Sequence, residues 1–276
     1  VLQNHLVDDA RTGLPEADAI FIGNGGKEIV NLFIGVQGSL EVGRGANFGL
    51  DQVIAVHRAR HSDARTTRLH ELHILVDHVG PLAEGTHLFR EGDPFEAIAA
   101  VRTGTVKTYV VDREGRETVL GFHLPGELIG LSAISRDRYP CNAVALEPVA
   151  LCRFSFPEIA TLATRIPGIQ QRLFQLLSED IGKASLLLGD FTAEERLAAF
   201  LALLVRRYRR RGLSGNRFSL PMARTDIANY LRLAPETVSR LLRRFQDLGF
   251  VSVERRFIEI SDEKGLLSLA VHVLRN

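Results

Sequence analysis

Four polar side chains in the C-terminal third stand at the spacing of one helix face: Glu236, Ser239, Arg240 and Arg243. Positions i, i+3, i+4 and i+7 lie next to one another on a helix surface. An arginine can donate to O6 and N7 of one guanine, and a glutamate can accept from N4 of a cytosine. The pattern predicts contacts with DNA base edges. The alternative is an i, i+4 ion pair between Glu236 and Arg240 on a solvated helix.

The neighbouring elements predict how this face is held. Ile227, Ala228 and Leu231 form a short apolar face that ends at a break over 232–234. Pro235 suits the first turn of a second helix, where no amide donor is lost. The second helix has its own apolar face, made of Val238, Leu241, Leu242 and Phe245. Two short helices joined by a three- or four-residue turn form a helix-turn-helix.

In such a motif the second helix enters the major groove with its N-terminal end first. Thr237 and the amide end of this helix can therefore hold phosphates. After Gly249, the alternating runs 251–253 and 257–260 predict a hairpin, which would form a wing beside the helix-turn-helix.

Charge is distributed unevenly along the 276 residues, a length that corresponds to about two domains. Residues 190–276 contain 16 Lys and Arg against 10 Asp and Glu, whereas residues 1–189 contain 18 against 23. A basic C-terminal part is typical of a module that meets a polyanion. The sequence shows neither an apolar run of membrane-spanning length nor a secretory signal, which predicts a cytoplasmic protein with no membrane partner.

Short β-rich runs separated by turn residues predict a small antiparallel roll or barrel between Gly80 and Phe156. The runs are 98–101, 106–111, 118–122, 143–146 and 150–154. Pro157 and Pro167 then open helical segments. In the second segment, apolar residues recur at helical spacing, at Ile169, Leu173, Leu176, Leu177, Ile181 and Leu187. This run fits either a coiled-coil dimer helix or an ordinary packed helix.

Two further features concern where the predicted domains begin: a helix start near residue 192 and an N-terminal segment without a clear pattern. Thr192 and Glu195 form a capping box that opens another helix. Residues 1–68 show no steady periodicity and stay unassigned. The chain starts at Val1 and its only methionine is Met222, so we expect this start to be processed, alternative or mis-set.

Several phrases of the sequence resemble the cyclic-AMP receptor protein/FNR superfamily, most closely its FNR branch of oxygen-responsive regulators. They are Gly85–Asp93, Arg102–Lys107, Gly121–Gly130, Ala193–Phe200 and the recognition triple Glu236-x-x-Ser239-Arg240. The resemblance covers about residues 69–276. It implies an α+β fold with a β-roll sensory domain over 69–165, a long dimerisation helix over 166–189 and a winged helix-turn-helix over 190–276.

The resemblance also implies a function. The chain would be a transcription regulator that binds double-stranded DNA as a homodimer, at a palindrome of TTGAT-like half-sites, and acts through RNA polymerase. Glu236, Ser239 and Arg240 would read bases, with Arg224, Thr225 and Thr237 placed beside them; Arg243 lies on the same exposed face.

The family's ligands can be compared with the residues present. Cyclic-AMP binders of the superfamily use a Glu for the ribose and an Arg-Ser pair for the phosphate, and the matching positions here are Leu131, Cys141 and Asn142. A buried phosphate without the arginine would be unpaired, so we expect no cyclic-AMP binding.

FNR regulators hold a [4Fe-4S] cluster with four cysteinates, and Cys152 falls where the β-roll ligand sits. By resemblance alone, Cys152 is an iron–sulfur ligand position. Residues 1–140 contain no cysteine, so the chain as written cannot supply four thiolates. A cluster would need a native N-terminus that brings three more cysteines. Without the resemblance, Cys141 and Cys152 are expected to be buried, reduced thiols.

Other functions are less well supported by the residues. A ligand- or redox-sensing β-roll acting through protein contacts is the main alternative, and the basic recognition face disfavours it. No Ser/His/Asp or paired-carboxylate arrangement predicts an enzyme. His70, His73 and His78 share one stretch, but their offsets miss a common helix face, so no metal site is predicted there.

Overall fold

The computed structural model describes residues 76–165, 167–186, 189–210 and 215–274. The predicted unassigned segment 1–68, together with His70, His73 and Leu187, lies outside them. The strands are β1 (Val76–Leu82), β2 (His87–Phe89), β3 (Ala97–Thr103), β4 (Val106–Val111), β5 (Glu117–His123), β6 (Leu128–Ile129), β7 (Asn142–Ala145), β8 (Val149–Ser155), β9 (Arg217–Ser219), β10 (Val251–Glu254) and β11 (Phe257–Ile260). The helices are α1 (Phe156–Arg165), α2 (Pro167–Leu186), α3 (Ala193–Arg209), α4 (Arg224–Leu231), α5 (Pro235–Asp247), α6 (Glu263–Leu269) and α7 (Val271–Leu274), and a 3-10 turn spans Leu131–Ala133.

The first eight strands form two antiparallel sheets, in the orders β1-β8-β3-β6 and β2-β7-β4-β5. A strand overlaps each of the five β-rich runs of the sequence, and the ends of strand and run differ by at most two residues. Apolar residues of both sheets face each other and pack together between the sheets. The interior holds Ala99, Val101, Val106, Ile129, Ala143, Ala145, Val149 and Leu151. This is the β-roll, and with the helices that follow it confirms the α+β fold.

Helix α2 packs on the β-roll with most of the apolar residues that predicted it. Ile169 and Leu176 are buried, and Leu173 and Leu177 pack against the same cluster as Phe154. These four residues therefore serve an intramolecular core, as in the packed-helix interpretation. Two large apolar side chains remain on the outside, because Phe174 is 62% exposed and Ile181 is 69% exposed.

Helix α3 begins at the predicted capping box. The hydroxyl of Thr192 accepts from the amide of Glu195, and the Glu195 carboxylate accepts from the amide of Thr192. Eight buried residues along α3 then form the centre of the C-terminal part of the chain. Strands β10, β11 and β9 complete this part as a three-stranded antiparallel sheet; β9 was not predicted from the sequence.

The two parts of the chain share one hydrophobic core, which the sequence did not predict. Val119, Phe122 and Leu124 of the β-roll belong to the same buried cluster as the apolar residues of α3, α4 and α5. The Phe122 ring lies 5.4 Å from the ring of Tyr230 on α4, centroid to centroid. The β-roll and the helix-turn-helix are thus packed directly against each other rather than connected only by the chain.

None of the described helices is long and apolar enough to span a lipid bilayer.

Candidate nucleic-acid interface

Helices α4 and α5 meet through a tight turn at Arg232. This residue takes a left-handed conformation with φ of +56°, which ends α4. The amide of Leu233 then donates to the carbonyl oxygen of Ala228 at 2.8 Å and closes the turn. Ala228 is 1% exposed, so its small side chain lets the two helices approach. This is the geometry of a helix-turn-helix.

Helix α5 is fixed by one face and exposes the other. Val238, Leu241, Leu242 and Phe245 are buried in the shared core, and Arg244 pairs with Glu194 of α3 at 3.4 Å.

The four polar residues predicted to face DNA, Glu236, Ser239, Arg240 and Arg243, are all exposed. No ion pair joins Glu236 to Arg240 in the described part of the chain, so the self-paired arrangement is not formed. Both side chains keep their hydrogen-bonding groups available for a ligand.

The remaining predicted residues surround the N-terminal ends of α4 and α5. Thr225 is exposed, and Arg224 and Thr237 are half-buried. Burial lowers the pKa of Arg224, although a guanidinium stays charged at neutral pH. The Ser239 hydroxyl donates to the carbonyl oxygen of Pro235 at 3.0 Å, which leaves its oxygen lone pairs open.

A surface cleft of about 340 Å³ runs between these helices and the wing, and Arg224, Ser239, Arg243 and Val253 line it. The wing is the hairpin of β10 and β11, whose turn contains the exposed residues Arg255 and Arg256. Arg224 of α4 and Arg243 of α5 thus line the cleft together with Asp247, next to exposed hydrogen-bonding side chains. Such a surface suits a polyanion whose bases can be read in a groove.

Comparison with known proteins agrees with this geometry. Residues 80–165 match the model of the cyclic nucleotide-binding domain, and residues 195–269 match the Crp-like helix-turn-helix domain. The chain is 42% identical over 204 residues to the anaerobic regulatory protein of Haemophilus influenzae, covering 73% of this chain and 79% of the relative. It is 44% identical to the transcriptional activator protein anr of Pseudomonas aeruginosa, over 69% of this chain and 79% of that one.

The chain belongs to the cyclic-AMP receptor protein/FNR family, in its FNR branch. The structure of FixK2 from Bradyrhizobium japonicum shares its fold, with a TM-score of 0.64 and 28% identity over 70% of this chain and 96% of that one. The predicted family and function are confirmed: the chain is a DNA-binding transcription regulator. The relatives are named as regulators and not as enzymes.

In this FNR-branch chain the two cysteines are both buried. Cys152 lies on β8, where burial raises the pKa of its thiol, and its sulfur is 3.5 Å from Nδ1 of the exposed His78 on β1. Burial raises the pKa of Cys141 to about 11. Among the described residues, no three His, Cys, Asp or Glu side chains come together to hold a metal ion. Two cysteines do not fit a cluster that needs four.

The positions that match the family's nucleotide contacts hold uncharged groups. Leu131 is 5% exposed and apolar. The Asn142 side chain accepts from the amide of Glu91 at 3.1 Å and lies 3.5 Å from the carbonyl oxygen of Tyr109. With the buried Cys141 thiol, these residues offer no cation for a phosphate.

A polar interface between the β-roll and the helical part of the chain was not predicted from the sequence. Lys107 on β4 contacts Asp226 on α4, and the Asn229 side chain bonds the backbone of β5. Arg207 on α3 pairs with Glu127 in the turn after β5. Little in the sequence indicated this interface, because alternation places Lys107 on the outer face of the β-roll, opposite the interior residue Val106, where a lysine is ordinary.

Proposed function

We propose that this regulator binds, as a homodimer, a DNA palindrome with TTGAT-like half-sites, and that Glu236, Ser239 and Arg240 contact the bases. The exposed polar face of α5, on a helix whose opposite face is fully buried, carries this proposal. A rigid helix with free hydrogen-bonding side chains can enter a major groove without rearranging its own contacts.

Arg224, Thr225, Thr237 and Arg243 are proposed to contact the backbone or to support the base-reading residues. They lie at the helix N-termini and along the cleft beside α5, where phosphates would pass. Backbone contacts of this kind set position and affinity, whereas base contacts set sequence preference.

The outer face of α2 supports the dimer. Phe174 and Ile181 are seven residues apart, two helical turns, and both are mostly exposed. Large apolar side chains repeated on one helix face are typical of a helix that meets a second helix. We propose that α2 pairs with its counterpart in a second copy, and that the dimer acts on RNA polymerase from its place on cytoplasmic DNA.

Neither cyclic AMP nor an iron–sulfur cluster is proposed for the chain as written. A cyclic nucleotide would bury a phosphate beside Leu131, Cys141 and Asn142 with no cation to pair it, which is unfavourable. Calorimetric titration with cyclic AMP should therefore give no binding heat, and a saturable heat would contradict the assignment. Cys152 can supply one thiolate of a cluster, and iron analysis of the purified chain should find less than one iron per chain.

Fluorescence anisotropy with two duplexes tests the DNA target. The purified chain is titrated at fixed physiological salt into a labelled TTGAT–ATCAA duplex and into a scrambled duplex, because phosphate contacts alone bind any sequence and weaken with salt. We expect the palindrome to bind more tightly. Equal binding to both would refute the proposed target.

The Arg240→Ala variant tests whether Arg240 contacts a base. Loss of a bidentate base contact should weaken palindrome binding by about 1–3 kcal/mol, with little loss on the scrambled duplex. Arg244→Ala is the matched control on the same helix, because Arg244 faces Glu194 of α3. An equal loss on both duplexes would mean that Arg240 contacts phosphate only.

A further inference from the structure

Helix α4 lies against the edge of the β-roll. Strand β5 is the last strand in the sheet β2-β7-β4-β5, so one side of its backbone lacks a neighbouring strand. The Asn229 side chain takes that place: its Oδ1 accepts from the amide of Val119 at 2.8 Å, and its Nδ2 donates to the carbonyl oxygen of Glu117 at 2.7 Å. A residue of the helix-turn-helix thus completes the hydrogen bonding of the sensory domain's edge strand.

A lysine of the β-roll joins the same contact. The ammonium group of Lys107 donates to Asp226 at 3.0 Å and to Glu117 at 3.1 Å, and its side chain is 11% exposed. It also lies 5.0 Å from the centre of the Tyr109 ring. Lys107 is therefore enclosed by groups that favour its charge, and its main link across the interface is Asp226.

Asp226 is placed where an unpaired carboxylate would harm DNA binding. It stands in the first turn of α4, next to Arg224 and Thr225, which are proposed to face phosphates. Its side chain is 18% exposed, so water offers little compensation for its charge. Without Lys107 this carboxylate would repel the phosphates and would draw α4 away from β5 toward solvent.

The docked arrangement leaves the DNA-reading surface open. The contact with the β-roll uses Asp226, Asn229 and Tyr230 of α4, whereas Glu236, Ser239 and Arg240 of α5 stay exposed. Docking and DNA binding therefore use different faces of the helix-turn-helix. The bridge is compatible with a DNA-bound chain.

We propose that Lys107, a residue of the sensory domain, is a positioning residue for DNA recognition: by pairing with Asp226 it holds α4 on β5 and so sets the orientation of α5. The inference rests on the proposed role of α5 in reading the palindrome. Lys107 lies 119 positions before Asp226 in the sequence, yet the two side chains are in direct contact at 3.0 Å.

The test measures palindrome binding by Lys107→Gln, Asp226→Asn and the double variant. Lys107→Gln should bind about tenfold more weakly than the wild-type chain. The double variant should bind within about twofold of wild type, because the poorly hydrated carboxylate of Asp226 is gone and the remaining one, Glu117, is 45% exposed to water. Arg116→Gln is the control for removal of a cation from the same hairpin and should bind normally. Arg116 is 74% exposed, and its ion pairs with described residues stay within that hairpin.

Hydrogen exchange gives a readout that needs no DNA. The Val119 amide is protected by Asn229, so the peptide covering 117–123 should exchange faster in Lys107→Gln and return to the wild-type rate in the double variant. Lys107→Arg, which keeps the charge, should match wild type in both assays and serves if Lys107→Gln does not fold.

Two results would overturn the proposal: unchanged binding and exchange in Lys107→Gln, or a double variant as weak as the single one. Failure of the proposed target is a separate outcome, because it would show as equal binding of the wild-type chain to palindrome and scrambled duplex. The exchange result would still decide whether Lys107 positions α4.

Discussion

Replacing Arg207 by methionine should cost the folded chain about 3 kcal/mol of unfolding free energy, within the range for a buried ion pair that loses one partner. The guanidinium Nε donates to a Glu127 carboxylate oxygen at 2.7 Å, and a second nitrogen bonds both Glu127 and the carbonyl oxygen of Phe122. The side chains of Arg207 and Glu127 are only 22% and 16% exposed. Burial lowers the pKa of Arg207, but Glu127 more than offsets this and raises it.

The magnitude follows from what methionine leaves behind. The methionine side chain can fill much of the space of the arginine stem, so little packing is lost. The loss of unfolding free energy comes mainly from the Glu127 carboxylate, which loses its cation and keeps the Leu124 amide as a donor at 3.1 Å. Neutralising that carboxylate should recover stability. We therefore expect Arg207→Met with Glu127→Gln to be less destabilised than the sum of the two single variants.

Urea unfolding followed by far-UV circular dichroism measures these differences, at one protein concentration because the stability of the proposed homodimer would depend on that concentration. Arg206→Met, at the exposed neighbouring position, is the control and should stay within about 0.5 kcal/mol of wild type. An Arg207→Met chain that unfolds at the wild-type urea concentration would refute the reasoning.

Three further predictions concern the cap, the helix crossing and the thiols. Thr192→Ala removes the side chain that caps α3 and should cost about 1 kcal/mol in the same urea assay; an unchanged midpoint would mean that the cap contributes nothing. Ala228→Leu should cost about 1–3 kcal/mol, because its Cβ lies in the closed crossing of α4 and α5; a neutral change would mean that the crossing can open. Cys141 and Cys152 should react slowly with a thiol-specific disulfide reagent at pH 8 and rapidly in urea, because both are buried and burial raises both pKa values; fast release of the coloured thiolate from the folded chain would contradict this.

Much of the interface was predictable because local rules decide it. The polar face of α5 follows from helical spacing, and the break before Pro235 follows from the proline's missing amide donor. The family match rests on short phrases that include the same residues. Periodicity likewise located β4 and β8, whose alternating residues must face the interior of the roll.

The contacts between β-roll and helix-turn-helix were not predictable in the same way. Asn229 and Val119 are 110 positions apart, and nothing local to either residue indicates the other. Helical spacing also could not distinguish the two interpretations of α2, a coiled-coil dimer helix or a helix packed within one chain. Of the residues that predicted a dimer seam, Leu173 packs on the β-roll and Ile181 is exposed, and Phe174, which was outside the predicted pattern, is exposed as well.

The shared core has a consequence for how regulators of this kind can be recombined. Val119, Phe122 and Leu124 fill a surface shaped by Phe200 and Tyr230, so the β-roll of one relative will fit the helix-turn-helix of another only if both sides of this surface match. A chimaera joined within 187–192 would have a continuous chain, but the two sides of its shared core would not match. A β-roll from another relative therefore cannot be joined to this helix-turn-helix by changing the connecting segment alone. These three side chains must be matched to α3 and α4 as well.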